Sequence, residues 1–137
     1  MLDLAQKFEE AAKALVEAQG AITVFAGFDE NDQIIPRCVI TARTASEFPQ
    51  GSGNFTLAIT VHVYSKADDS TVQEHRTLCQ SVIGKFNEDD FASQLSSQVD
   101  NFHCFGFSNR SGLEQIEDRA WVTEFSFDAY CAGVALV

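Results

Sequence analysis

The sequence predicts a single α+β domain over residues 1–137, in which a largely antiparallel or mixed β-sheet packs against two main α-helices and one short helix. Two patterns lead to this prediction. Apolar residues recur at helical spacing near the N-terminus, and apolar and polar residues alternate along Phe55–Val63. A length of 137 residues suits one domain and leaves no room for a second of ordinary size.

The N-terminal segment predicts a surface helix over residues 2–19 with one buried face. Its apolar stripe consists of Leu4, Phe8, Ala12, Leu15 and Val16. Gly20 follows at the position where helices commonly end in a left-handed residue. A short extended segment is expected next, because residues 21–28 are mainly apolar, before a polar turn at 29–32.

A β-hairpin is predicted in the middle of the chain. Pro36 precedes the run Cys38–Thr41, which is typical of a strand that begins at a proline. The segment Ser46–Asn54 collects residues that break regular structure and predicts a mobile loop. Phe55–Val63 then predicts a strand with one face in the core and the other partly in water.

A second helix follows, with an apolar stripe of Val72, Cys79, Val82, Ile83 and Phe86. Ser70 with Gln73, or Thr71 with Glu74, has the spacing of a capping box that begins this helix. The polar run Asn87–Asp90 is expected to end it and to cap a short helix that contains Phe91 and Leu95.

The last third predicts two strands, Val99–Phe107 and a closing strand from Arg119 to Cys131. The turn-rich segment Ser108–Gly112 between them predicts a loop. The alternation of Trp121, Phe125 and Phe127 with polar residues supports the closing strand, and the phenylalanines before Ser108 are assigned to core packing.

The charge balance narrows the classes of partner. With 20 acidic and 9 basic residues, the net charge is −11, which argues against a surface that binds nucleic acid or anionic lipid. No apolar run approaches the ~20 residues of a membrane helix. The N-terminal residues lack the pattern of a signal peptide, which predicts synthesis and use in a cytosol.

No pattern in the sequence predicts catalysis, a cofactor or a metal site. Four cysteines are scattered singly through apolar segments and are expected to be buried free thiols. His75 and Cys79 share a helix face, but adjacent His103 and Cys104 point to opposite faces of a strand, so four zinc ligands do not converge. Paired carboxylates are explained by helix starts and exposed faces, and no glycine-rich phosphate loop is present.

The order of elements resembles the tail terminator proteins of long-tailed bacteriophages, and more loosely other small tail-completion and neck proteins. The features that carry the resemblance span nearly the whole chain. They are the leading amphipathic helix, the strand that begins at Pro36, the Phe55–Val63 strand after a loop, the Ser70-capped helix with His75-Arg76, and the closing strand from Arg119-Ala120-Trp121 to Cys131.

The resemblance implies a structural virion protein of the tail or neck that is assembled in the host cytoplasm. Its partners would be other copies of itself in a ring, usually of six, together with the tail tube protein and the head-tail connector protein. The ring would cap the tube, end its polymerisation and let DNA pass without specific binding. No enzyme activity, cofactor, metal or membrane is implied.

An acidic lumen gives the negative charge a physical meaning, because carboxylates repel the phosphates of passing DNA. Residues 88–137 contain nine acidic and two basic residues, which accounts for seven of the eleven net negative charges. The candidate lumen residues are Glu114, Glu117, Asp118, Glu124 and Asp128. For each single carboxylate, ordinary solubility is the competing explanation.

Two polar loops are the candidate contacts with the tube, the connector or a neighbouring subunit, because loops on a packed scaffold commonly carry contacts. The candidate residues are Ser46, Glu47, Gln50, Gly51, Ser52, Gly53, Ser108, Asn109, Arg110, Ser111 and Gly112.

Two other functions remain open from the sequence. One is a small cytosolic enzyme or ligand-binding domain whose site forms only in three dimensions, for which a pocket holding His62, His75 or His103 beside a carboxylate would be the sign. The other is an accessory interaction protein outside viruses.

Overall fold

A computed structural model of the protein describes residues 2–20, 22–27, 36–47, 54–66, 72–117 and 120–132. In these residues, three helices and five strands follow one another in the predicted order. They are α1 (Leu2–Glu17), β1 (Thr23–Ala26), β2 (Arg37–Glu47), β3 (Asn54–Lys66), α2 (Val72–Phe86), α3 (Phe91–Gln98), β4 (His103–Glu117) and β5 (Ala120–Ala132).

The strands form one mixed sheet in the order β1-β2-β3-β5-β4. β1 runs parallel to β2, and every other neighbouring pair is antiparallel. The three helices contribute their apolar faces to a core on one side of this sheet. The predicted fold class, an α+β domain with a mixed sheet, two main helices and a short one, is therefore confirmed.

The central strand β3 alternates as the sequence predicts. Leu57, Ile59, Val61 and Val63 are buried on the helix side, which we call the inner face of the sheet. Thr56, Thr60, His62 and Tyr64 lie on the other side, the outer face, where they are only half-buried. Because strands pair in register, the same parity assigns the residues of β5 to these two faces.

The helices cover the inner face through a cluster of phenylalanine rings. Phe8 of α1 is fully buried, and its ring lies 6.5 Å from that of Phe127 on β5. Phe86 at the end of α2 contacts both Phe91 of α3, at 4.8 Å, and Phe127, at 5.4 Å. Such tilted aromatic pairs add directional contacts to the burial of apolar area, so one cluster joins all three helices to the sheet.

The helix boundaries agree with the predicted stop signals. α1 ends near Gly20, whose φ of 74° is the left-handed conformation that glycine adopts without steric cost. α2 ends at Phe86 and α3 begins at Phe91, so the run Asn87–Asp90 separates them as predicted. The two capping boxes predicted for α2 involve Ser70 and Thr71, which lie outside the described residues.

The final strands differ from the prediction in one respect. Ser108–Gly112 is not a loop between strands, because β4 runs without interruption from His103 to Glu117. The ladder with β5 shifts register between Ser108 and Ser111 and then resumes. A strand at the edge of a sheet can absorb extra residues as a bulge, so the turn-forming residues bend β4 without ending it. The strand also starts later than predicted, at His103 instead of Val99.

The hairpin between β2 and β3 is confirmed by their antiparallel pairing. Its loop begins later than predicted, because Ser46 and Glu47 are the last residues of β2 and pair with Thr56 and Phe55. The other candidate loop residues, Gln50, Gly51, Ser52 and Gly53, lie outside the described residues.

A glutamate of α1 accepts a hydrogen bond from β2 just beyond the end of the short strand β1. The Gly27 N–H donates to the Ile40 carbonyl at 2.8 Å, and the next amide of β2 on that side, Ala42 N–H, donates to Glu9 Oε2 at 2.8 Å. Burial raises the pKa of the Glu9 carboxyl, the Ala42 amide opposes that rise, and nearby Glu10 adds to it. Glu9 thus satisfies a strand donor at the cost of holding a charge in a half-buried position.

The substitution Glu9→Gln tests this arrangement, because it keeps an oxygen acceptor for Ala42 N–H and removes the charge. With a raised pKa in the folded state, the stabilising contribution of Glu9 is fully present below its ordinary pKa of 4.5 and declines as the pH rises through the folded-state pKa. We expect the free energy of unfolding of the wild type, relative to Glu9→Gln, to fall between pH 4.5 and about pH 7 in urea titrations.

Glu9→Ala is the matched control. It leaves the Ala42 N–H without its acceptor, which we expect to cost roughly 1–3 kcal/mol at both pH values. Equal destabilisation by Gln and Ala at neutral pH would contradict the assigned hydrogen bond.

Candidate functional site

Two of the candidate lumen residues lie together on the outer face of the sheet. Glu124 and Asp128 both project from β5 and are half-buried. They are four residues apart on one strand, a separation of about 13 Å. Glu114 and Glu117 belong to β4, where they pair in register with Thr123 and Ala120.

Asp118, the fifth candidate lumen residue, lies outside the described residues. Of the five candidate lumen residues, only Glu124 and Asp128 have described side chains on the outer face, and the strand register places Arg37, Arg43 and Lys66 on the same face.

Glu124 is not an isolated charge, since its Oε1 lies 3.3 Å from His62 Nε2 on β3. The His62 ring in turn stacks on the Tyr64 ring at a centroid distance of 6.0 Å. Arg37 lies over the other end of this row, with its guanidinium carbon 4.0 Å from the Tyr64 ring centre. A histidine–carboxylate contact, stacked rings and a cation over a ring together order the polar side chains on this face of the sheet.

Phe105 and Tyr130 form an exposed aromatic corner at the edge of the sheet. Phe105 is 55% exposed and Tyr130 is 39% exposed. Both line an open depression of about 600 Å³ together with Phe55 and Cys131. The Tyr130 hydroxyl lies 2.5 Å from Ser108 Oγ, which ties one ring of the corner to the irregular part of β4.

The exposure of Phe105 contradicts its assignment to core packing. β4 shifts register between Cys104 and Gly106, so Phe105 has no residue opposite it on β5. With Cys104 buried, strand alternation alone indicates that Phe105 points outward. Phe102, in contrast, is buried as expected, and Phe107 is half-buried.

The irregular segment of β4 also borders an apolar cavity of about 310 Å³. Its lining is mainly aromatic, with one aliphatic and several polar residues: Ile83, Phe86, Phe107, Phe125, Phe127, Asn87, Arg110, Ser111, Gly112 and Ser126. Arg110 donates to the Asn87 side chain and lies 5.9 Å from the Phe107 ring centre. Three of the predicted contact residues, Arg110, Ser111 and Gly112, are therefore brought together with the end of α2.

The most connected polar group of the core is His75 of α2, whose side chain is fully buried. Its Nδ1 lies 2.8 Å from Ser65 Oγ on β3, and its Nε2 lies 2.8 Å from Thr123 Oγ1 on β5. The Cys79 thiol lies 3.4 Å from the same Nε2, which confirms that these two residues share a helix face. The sequence did not indicate the two hydroxyl partners, because they are distant from His75 along the chain.

The His75 cluster contains a histidine beside two hydroxyl groups, as a nucleophilic site does, but a substrate cannot reach these hydroxyls. Ser65 and Thr123 are 3% and 6% exposed. A substrate would reach them only if α2 moved away from the sheet, so the described arrangement is that of a hydrogen-bonded link between helix and sheet. A buried polar network whose hydrogen bonds are satisfied favours one packing of helix against sheet, whereas apolar contacts alone would permit several.

The four cysteines are buried and free, as the sequence predicts. Burial raises the pKa of the Cys38 thiol to about 12, and the neighbouring Cys79 adds to the rise. A thiol with such a pKa is a poor nucleophile at neutral pH.

The described residues contain no group of three or more histidine, cysteine, aspartate or glutamate side chains that could hold a metal ion. None of the described helices is long and apolar enough to cross a membrane.

Replacing His75 tests whether its two hydroxyl partners stabilise the fold. We expect His75→Ala to lower the free energy of unfolding by roughly 2–4 kcal/mol, since it leaves a cavity and removes the shared partner of two buried hydroxyls. Chemical denaturation measures the change. Gln80→Ala, on the exposed side of the same helix, should stay within about 0.5 kcal/mol of wild type, and a similarly small effect of His75→Ala would refute the assigned role.

No protein-family model matches this chain, and no curated protein matches it in sequence.

Proposed function

We propose that this chain is a tail terminator of a long-tailed bacteriophage. In this role it forms a homo-oligomeric ring, of six copies by the resemblance in sequence pattern, that caps the tail tube and ends its polymerisation. The ring then joins the tube to the head connector and serves as a conduit for DNA. The observation that carries the proposal is the edge strand β4 with the exposed rings of Phe105 and Tyr130 beside it, which together form a surface suited to a neighbouring copy.

The edge of the sheet supports ring formation. β4 is the last strand in the sheet order, and within the described residues it pairs only with β5. An edge strand offers backbone donors and acceptors to another chain. The aromatic corner at the start of β4 supplies apolar area of the kind that is enriched in the buried centres of interfaces. A closed ring uses one such edge on each subunit against a different surface of the next.

The charge supports passage of DNA without binding. A lumen lined by the outer face would present Glu124 and Asp128 from every subunit. Because counterion release drives proteins with clustered Lys and Arg onto DNA, a surface of opposite charge lacks that driving force and repels phosphates. The net charge of −11 has the same sign as these two carboxylates, while Arg37, Arg43 and Lys66 share the outer face with them.

The aromatic corner is the first surface to test. We expect Phe105→Asp to weaken subunit association by roughly 30-fold, the effect of losing a central interface residue worth about 2 kcal/mol. Native mass spectrometry and mass photometry across a concentration series measure the oligomer distribution. The fold should be retained, because Phe105 is exposed in the single chain.

Gln6→Asp is the control, since it adds the same charge at an exposed position of α1. Phe105→Asp with an unchanged oligomer distribution would exclude the aromatic corner from the interface. A wild-type protein that stays monomeric even with tail tubes present would overturn the ring itself.

Charge reversal on the outer face tests the conduit. We expect a double variant, Glu124→Lys with Asp128→Lys, to bind duplex DNA at least about tenfold more tightly than wild type in its oligomeric form, with affinity that falls as salt rises. Fluorescence anisotropy with a short labelled duplex at two salt concentrations provides the measurement.

The matched control carries the same change of net charge on the helix side, through Glu10→Lys with Glu17→Lys at exposed positions of α1. If both double variants gained DNA affinity equally, net charge alone would explain the result and the outer face would not be the lumen.

A second candidate function is favoured by the apolar cavity of about 310 Å³ beside Arg110. A mainly apolar cavity with a few polar residues in its lining is the usual form of a small-molecule site, which fits a ligand-binding domain. The histidine-carboxylate pair His62–Glu124 does not add to this candidate, because neither residue lines that cavity. A ring at the tail end in electron micrographs would separate the two functions.

A further inference from the structure

Two cysteines face each other across neighbouring strands at one corner of the sheet. Cys104 on β4 pairs in register with Cys131 on β5, and both side chains are buried on the inner face. The Cys104 N–H donates to the Ser96 hydroxyl of α3 at 2.9 Å, so it points away from β5. In an antiparallel ladder this orientation marks a non-hydrogen-bonded pair, whose Cα atoms are about 4.5 Å apart and whose side chains are close.

That separation falls within the Cα distances of about 4.4–6.8 Å that disulfides span. We propose that Cys104 and Cys131 are a dithiol modification site, which a low-molecular-weight disulfide such as oxidised glutathione converts into a cross-strand disulfide. The strand register and the Cys104–Ser96 hydrogen bond place the two cysteines side by side whatever the function of the protein.

The reaction is two successive thiol–disulfide exchanges. The Cys104 thiolate attacks one sulfur of oxidised glutathione, which breaks the glutathione S–S bond and releases one glutathione thiolate. Once Cys104 is in this mixed disulfide, the thiol–thiol hydrogen bond that raises the pKa of Cys131 is gone; Cys131 then loses its proton, attacks the Cys104 sulfur and displaces the second glutathione as a thiolate. The two cysteines lose two electrons and two protons, and one glutathione disulfide becomes two glutathione thiols.

Cys104 is the first nucleophile of the pair. The hydrogen bond from the Cys131 thiol lowers the pKa of Cys104, burial opposes the change, and the Gly106 amide lowers it further. The same thiol–thiol hydrogen bond raises the pKa of Cys131, and burial adds to that rise. Of the two thiols, Cys104 is therefore the one that is deprotonated more readily.

Cys104 and Cys131 are 3% and 0% exposed, so an oxidant reaches them only when the ends of their strands open locally. Cys104 is the second residue of β4, and Cys131 is the last but one of β5. Strand ends open more readily than strand centres. Phe105, next to Cys104, has no residue opposite it on β5, and Cys131 borders the open depression of about 600 Å³.

The experiment incubates the folded wild-type protein with oxidised glutathione and then counts thiols after denaturation in a thiol-blocking reagent. We expect the four thiols of the reduced chain to fall to two, with a mass lower by two hydrogens and a peptide map that joins Cys104 to Cys131. The double variant Cys38→Ala with Cys79→Ala should form the same link, since those two cysteines form a separate buried pair on β2 and α2.

Three results would overturn the inference. They are retention of all four thiols, a peptide map that joins Cys38 to Cys79, and a stable glutathione adduct that Cys131 never displaces. The variant Cys131→Ser should stop at that adduct on Cys104. If this variant fails to fold, the peptide map of the wild-type protein decides the question without it.

Discussion

The rest of the structure depends on the burial of one face of β3 and β5. β3 is the middle strand of five, and its apolar residues at every second position lie in the core without exception from Leu57 to Val63. A shift of one residue in its pairing would turn these side chains to the outer face. The phenylalanine cluster then fixes the helices over β5, because Phe127 contacts the rings of Phe8 and Phe86. One buried sheet face thus determines where every helix lies and which residues remain on the other side.

Helices and strands with strongly periodic apolar residues can be predicted from the sequence, whereas contacts between residues far apart along the chain cannot. The stripe of α1 and the alternation of β3 are local, and both were predicted correctly. The bulge at Ser108–Ser111 was not, because the preference of these residues for turns is local while the ladder that overrides it depends on β5. His75 illustrates the same limit: its helix face was predictable, but its partners Ser65 and Thr123 become neighbours only when the sheet has formed.

Composition gives the net charge of the chain but not the face of the molecule on which the charges lie. A charge of −11 is a property of the whole chain, yet a conduit needs carboxylates on one surface. Strand alternation places Glu124 and Asp128 on one face, since residues an even number apart on β5 point to the same side. Asp118 lies outside the described residues, so only its charge groups it with these two carboxylates.

The β4 edge combines two properties that the proposed ring would need and that otherwise conflict: it is open to pairing, and it is selective about its partner. An unpaired edge strand can associate with any similar edge, which leads to uncontrolled aggregation unless the edge is interrupted. Here the register shifts at Phe105 and between Ser108 and Ser111 distort the strand at two places, and the Cys104 amide is already bonded to Ser96. Association through this edge therefore demands a partner shaped to the bulges and to the exposed Phe105 ring. In the proposed ring, a neighbouring copy held at one fixed angle would meet that demand, whereas a second flat strand would not.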